Sequence, residues 1–230
     1  MCIIAIKPAD KEMFPEKQIR YMFSKNPDGA GLAYALNGEV HYKKGFMDVE
    51  KLVEYLNKHK KLFKGLPLIL HFRIGTSGKK DEYNCHPYPV FEKNKVIGKS
   101  ELVMAHNGVL YNFNPPLGAT YNDTQCFIKK ALSLLPHNFL NNESISTLIK
   151  ESVGTNRLCF LDKDGKITKF GSWYKEDGYE YSNSGYKEES YRPFYIPQYP
   201  SFQTSLFKKE DKPTPKPEEK SKCRWRKKVC

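Results

Sequence analysis

Three short, continuously apolar runs set the strongest constraint on how this chain can fold: "CIIAI" at the N-terminus, "LPLILHFRI" near residue 70 and "ELVMAHNGVL" after residue 100. Each has the length of a strand and reads as a buried one, because a strand with one wet face alternates apolar and polar residues. Around them, "EKQIRYMFSKN" has helical amphipathicity, and "DVEKLVEYLNKHKKLF" places Val49, Leu52, Val53 and Leu56 on one helical face behind an Asp48 cap. "GLAYALNGEVHYKKG" predicts a hairpin at Asn37-Gly38, a dipeptide suited to a two-residue turn. A polar loop is expected over about residues 75 to 99. Helices over "DTQCFIKKALSLL" and "ESISTLIKESV" follow. Hairpins come last, on "RLCFLDKDGKITKFGSW", turning at Asp164-Gly165, and on "YKEDGYEYSNSGY". Strands dominate both ends and helices cluster between them, an α+β pattern.

At 230 residues the chain buries a real core without needing disulfides. The six cysteines (Cys2, Cys85, Cys126, Cys159, Cys223, Cys230) show no C-x-x-C pair, so neither a zinc site nor a secreted disulfide scaffold is indicated, and no metal or other cofactor is expected. No apolar run approaches the eighteen or so residues of a membrane span, and a reducing, cytoplasmic location is expected. Net charge is +12, but residues 187–230 carry 12 Lys or Arg against 6 Asp or Glu, so half of the excess lies in that segment. Its Pro, Tyr, Lys and Glu composition offers too little apolar surface to offset ordering entropy and predicts a largely disordered basic tail. The folded domain is accordingly expected over 2–186.

Cys2 directly follows the initiator methionine, whose removal is favoured by a small second residue. Its simple reading is a small buried hydrophobe. Its chemical reading is that processing leaves one residue with both a thiol and a free α-amino group, a self-contained nucleophile and base. Four further stretches stand out: "NPDGAGLAY" (26–34), "HFRIGTSG" (71–78), "MAHNGVL" (104–110) and "NDTQ" (122–125). Each has an ordinary structural reading: a Pro-Asp-Gly turn, a surface cation at a strand end for Arg73, a hairpin turn at Asn107-Gly108, and a helix cap at Asp123.

Taken together and in this order, with "NCHP" at 84–87 and "YSNS" at 181–184, the stretches resemble the class II glutamine amidotransferases, whose glutaminase domain is an N-terminal-nucleophile hydrolase. The resemblance covers about residues 2 to 186 and implies a four-layer αββα sandwich with two antiparallel sheets. It implies hydrolysis of the side-chain amide of L-glutamine through a thioester on Cys2, giving glutamate and ammonia. It assigns the oxyanion hole to the Asn107 side chain and the Gly108 N–H. Substrate binding would fall to Arg73 and Asp123, for the α-carboxylate and α-ammonium, and to Thr76 and His86 at the carboxylate end. An α-amino group of ordinary pKa, about 7.7 to 8.0, shuttles a proton without a histidine, and His71 and His106 read as structural. Ser77 stands where several family members carry histidine.

No second domain that would consume ammonia is visible, so an acceptor or synthetase on a separate chain is the expected partner. The alternative is a non-catalytic binding module on the same scaffold, contacting nucleic acid or a protein through "CRWRKK". A protein partner is preferred to nucleic acid, because acidic residues interrupt the basic run. No membrane contact is expected.

Overall fold

A computed structural model of the chain describes residues 1–188. The segment expected as a basic tail therefore lies, from residue 189 onward, outside the described residues. In chain order the elements are β1 (Ile3–Lys7), α1 (Glu16–Lys25), β2 (Ala30–Leu36), β3 (Glu39–Phe46), α2 (Val49–Lys58), α3 (Lys60–Phe63) and β4 (Leu68–Phe72). They continue with β5 (Tyr88–Pro89), β6 (Ile97–Ser100), β7 (Leu102–Asn107), α4 (Asp123–Lys130), α5 (Glu143–Val153), β8 (Arg157–Asp162), β9 (Ile167–Phe170), β10 (Tyr174–Glu176) and β11 (Tyr179–Tyr181). Two sheets result, one of seven strands in the order β10-β11-β1-β4-β2-β3-β6 and one of four in the order β5-β7-β8-β9. All the pairings are antiparallel.

The apolar runs are buried because both faces of their strands are covered. In β1, Ile3 and Ala5 join Ile19, Met22, Phe23, Leu52, Val53 and Leu56 in a core between the larger sheet and helices α1 and α2. Ile4 and Ile6 point the other way and pack with Val103, Ala105, Cys159 and Leu161 of the smaller sheet, as the two-residue strand period requires. The outer face of the smaller sheet, with Met104, Leu158 and Phe160, covers Phe127, Ile128, Ile149 and Val153 of α4 and α5. Ile4 is fully buried, which is worth about 1.5–3 kcal/mol relative to exposure.

Four local differences from the sequence expectation have physical causes. The helix expected over 48–63 is capped by Asp48, which accepts from Glu50 N–H at 2.8 Å, but it breaks at His59. There the backbone N–H (3.2 Å) and ring Nδ1 (2.8 Å) both engage the Tyr55 carbonyl. The loop expected over 75–99 contains strands β5 and β6; "IGKS" escapes pattern reading because β6 is an edge strand with Ile97 exposed. The run through Leu110 ends as a strand at Asn107, because Gly108 turns the chain with φ +145°. Finally, Asn122, not Asp123, caps α4, accepting from Gln125 N–H at 3.0 Å.

Candidate active site

The N-terminal strand is pinned by residues distant in sequence. Ile4 N–H donates to Ser182 Oγ at 2.8 Å, and Asn183 Nδ2 donates to the Cys2 carbonyl at 2.6 Å. Asn26, the residue ending α1, is buried and donates from Nδ2 to the Met1 carbonyl at 2.8 Å and to Phe72 O at 3.3 Å. Cys2 is thus fixed at the mouth of the sheet with its backbone held from both sides. Its Sγ lies 3.5 Å from both the N–H and the carbonyl oxygen of Ile74. Burial pushes the Cys2 thiol up from its ordinary value, and the Ile74 N–H and the Arg73 charge offset only part of that.

The "NPDGAG" stretch holds the loop that follows β4. Arg73 N–H donates to Gly29 O at 2.8 Å and Asp28 N–H to Arg73 O at 3.0 Å, while Gly75 N–H donates to Asp28 Oδ2 at 2.8 Å. Asp28 also pairs with Lys80 at 2.7 Å. Burial opposes ionisation of Asp28, but the Lys80 and Gly75 hydrogen bonds outweigh it and hold the carboxyl below its usual range. Arg73 itself is 2% exposed; its Nη2 donates to Ser77 O at 3.0 Å, while Nη1 is buried with no hydrogen-bond partner.

Asp123 is buried too, and its carboxylate accepts from Leu110 N–H at 2.7 Å and Thr124 N–H at 2.9 Å. Ser77 Oγ approaches it at 3.4 Å. Arg73 and Asp123 form no ion pair with each other, although both line one void with Cys2, Thr76, His86 and Gly108. That void measures about 20 Å³, room for one water molecule. Two opposite charges thus sit buried in one chamber and unneutralised by each other, an arrangement that is destabilising without a ligand and complementary to a zwitterion.

The other predicted residues are placed as follows. Gly108 is on the void's wall, and a Cβ there would fall 1.8 Å from Asn156 Oδ1, so only glycine allows this approach. Asn107 is fully buried and is not among the residues lining the void; its Nδ2 donates to Ser182 Oγ at 2.9 Å and its Oδ1 has no partner. Thr76 is exposed at the rim. His86 is 4% exposed, stacks on His71 with ring centroids 4.1 Å apart, and has Nε2 3.4 Å from Thr124 Oγ1. Burial, then the neighbouring His71, keeps His86 neutral, well below its ordinary value.

His71 (pKa about 3) and His106 are likewise lowered, chiefly by burial. His106 Nε2 lies 3.0 Å from Asn156 Oδ1, and Asn156 Nδ2 donates to Val153 O, which assigns the His106 proton to Nε2 and leaves Nδ1 to accept from Thr124 Oγ1 at 2.8 Å. Among the described residues no group of three His, Cys, Asp or Glu side chains is arranged to hold a metal ion, and no helix is long and apolar enough to cross a membrane.

Sequence reasoning did not single out Ser182 or Asn183 as anchors of the strand that carries Cys2, nor Asn26 as the partner of the Met1 carbonyl, a bond that removal of Met1 would take away. Asn26 and the "YSNS" stretch lay inside recognised motifs, yet nothing local in them announces contacts to the N-terminus.

The sequence matches no protein-family model and no curated protein. Among solved structures it is similar to one described as the allosteric regulatory enzyme of purine biosynthesis, with a TM-score of 0.41, 20% identity, and coverage of 71% of this chain and 36% of that one. It is also similar to the glutamine phosphoribosylpyrophosphate amidotransferase from B. subtilis complexed with ADP and GMP, with a TM-score of 0.41, 16% identity, and coverage of 79% of this chain and 41% of that one. The chain thus spans well under half the length of either, and the functional reading rests on the site's own geometry.

Proposed function

We propose that residues 2–186 form a class II glutamine amidotransferase domain that hydrolyses L-glutamine to glutamate and ammonia, with the ammonia passing to an acceptor enzyme on another chain. The observation that carries this reading is the pair of buried, mutually unpaired charges, Arg73 and Asp123, in a void that opens at the Cys2 thiol. The three apolar layers support the matching fold, the four-layer αββα sandwich of N-terminal-nucleophile hydrolases.

In this mechanism the mature chain begins at Cys2. The substrate's α-carboxylate meets the Arg73 fork, including the unpartnered Nη1, and its α-ammonium meets Asp123. Thr76 and neutral His86 line the carboxylate end. The thiol, held protonated by burial, gives its proton to the free α-amino group as Sγ attacks the γ-carbonyl carbon. Gly108 N–H donates to the oxyanion from the void's wall, and the Asn107 amide, which gives one hydrogen to Ser182 Oγ from behind that wall, joins it by turning its second hydrogen toward Cys2. The C–N bond breaks, ammonia leaves with the transferred proton, and water then cleaves the thioester. The Ser77–Arg73 and Ser77–Asp123 contacts lie at this space, and glutamine's charged ends replace them when it binds.

The test is a stoichiometric adduct with a glutamine-like electrophile. Mapping to Cys2, with L-glutamine protecting, is the expected result; modification of Cys85 or Cys159 instead contradicts the assignment.

A further inference from the structure

Cys2 faces a second space besides the small charged void. A cleft of about 660 Å³ shares Cys2, Ile74, Thr76 and Gly108 with that void and then runs the other way, between the segment 108–113 and the segment 152–157. The two spaces differ in kind. One is small and carries the buried charges that suit a free amino acid's ends. The other is far larger and has the size of a site for a whole small molecule. In the binding mode proposed above, with the charged ends at Arg73 and Asp123, the bond to be broken lies at Cys2, and the leaving group projects into the cleft that shares Cys2.

Ammonia fills only a few per cent of such a space, since a water-sized molecule occupies about 30 Å³. The far wall also carries a cation set up to receive an anion. Arg157 has its guanidinium held by Nη1 on Thr155 O at 2.6 Å and Nε on Ser172 O at 3.3 Å. Among the described residues it has no acidic partner, and Nη2 makes no protein hydrogen bond. Tyr111, 77% exposed, offers an aromatic surface on the opposite side. Met1 lines the cleft as well, so its removal enlarges the space.

We infer that the site takes γ-glutamyl amino acids as well as glutamine, with the departing amino acid seated in the cleft and its carboxylate on Arg157. This rests on the thioester chemistry proposed above. The step balances in the same way: Sγ forms a bond to the γ-carbonyl carbon, the amide C–N bond breaks, and the amino acid's nitrogen leaves with the thiol proton. Water then returns the thiol and releases glutamate.

The experiment compares kcat/KM for γ-L-glutamylglycine and for L-glutamine with the full chain, processed to Cys2. The dipeptide value is expected to equal or exceed that of glutamine. Arg157→Gln is expected to lower the dipeptide-to-glutamine ratio about tenfold through KM, the effect of losing a charge-assisted hydrogen bond. Arg157→Lys, which keeps the charge, is expected to recover part of the ratio, a separation of two substrates that a merely structural arginine would not produce. A dipeptide value below that of glutamine, or a ratio unmoved by Arg157→Gln, overturns the inference while leaving the glutaminase reading intact. If neither compound is cleaved and the electrophile does not label Cys2, both readings fall together.

Discussion

Asn183 Nδ2 donates to the carbonyl oxygen of Cys2 at 2.6 Å across 181 residues of sequence, so a residue after the last strand sets the backbone of the proposed nucleophile. Removing that bond frees the chain end to swing by ångströms without opening the core. Asn183→Ala is therefore expected to lower kcat by roughly 10²-fold, the scale for misplacing a reacting group by about 1 Å, with little change in KM. Steady-state kinetics check this; an unchanged kcat would show that β1 alone positions Cys2.

Cys2→Ala is expected to abolish turnover and to change stability by less than about 1 kcal/mol, since the residue as a whole is half-buried at a chain end and its side chain is small. Urea unfolding and a glutamate-release assay measure the two effects separately.

Arg73 and Asp123 are predicted to separate on stability. Arg73 is a buried cation without a carboxylate partner, so Arg73→Met is expected to leave the fold at least as stable while abolishing useful glutamine affinity. Asp123→Asn is expected to raise KM and also to lower the thermal midpoint, because its carboxylate accepts the Leu110 and Thr124 N–H groups. Equal destabilisation by both variants would mean that Arg73 is a structural cation.

Acid is expected to destabilise the fold well above the carboxylate range. His71, His86 and His106 are buried and held below their ordinary values, His71 at about 3. Each is neutral when folded and takes up a proton when unfolded below about pH 6.5, so the unfolded chain binds more protons. The stability they contribute is fully present above pH 6.5 and is lost as pH falls toward the folded values, by up to about 4 kcal/mol per pH unit for three groups. Buried Lys44, also lowered chiefly by burial, acts with the same sign at higher pH. The urea midpoint between pH 7.5 and 5.5 is expected to fall; a flat profile would contradict the neutral histidine cluster.

Much of this architecture was legible from local pattern, and the exceptions share a cause. Continuous apolar runs marked β1, β4 and β7, the 3.6-residue period marked the main helices, and Asn37-Gly38 marked its hairpin with φ of 53° and 76°. Edge strand β6 was not legible, because half-exposed "IGKS" carries no apolar alternation and is fixed by pairing with β3. At the site, the motifs identified Arg73, Gly108 and Asp123, which do share one void with Cys2. They did not reveal that Asn107 gives an amide hydrogen to Ser182, or that Asn26 and Asn183 grip the N-terminal backbone. Those contacts depend on how β1 sits between β4 and β11, which no single stretch encodes.

The most direct test of the account is rapid acid quenching of the processed chain during turnover of L-glutamine, followed by intact-mass measurement and peptide mapping. The account predicts one γ-glutamyl group per chain, carried as a hydroxylamine-sensitive thioester on an N-terminal Cys2 and absent from Cys2→Ala. Glutamine hydrolysis by Cys2→Ala, or by a chain that retains Met1, would contradict it.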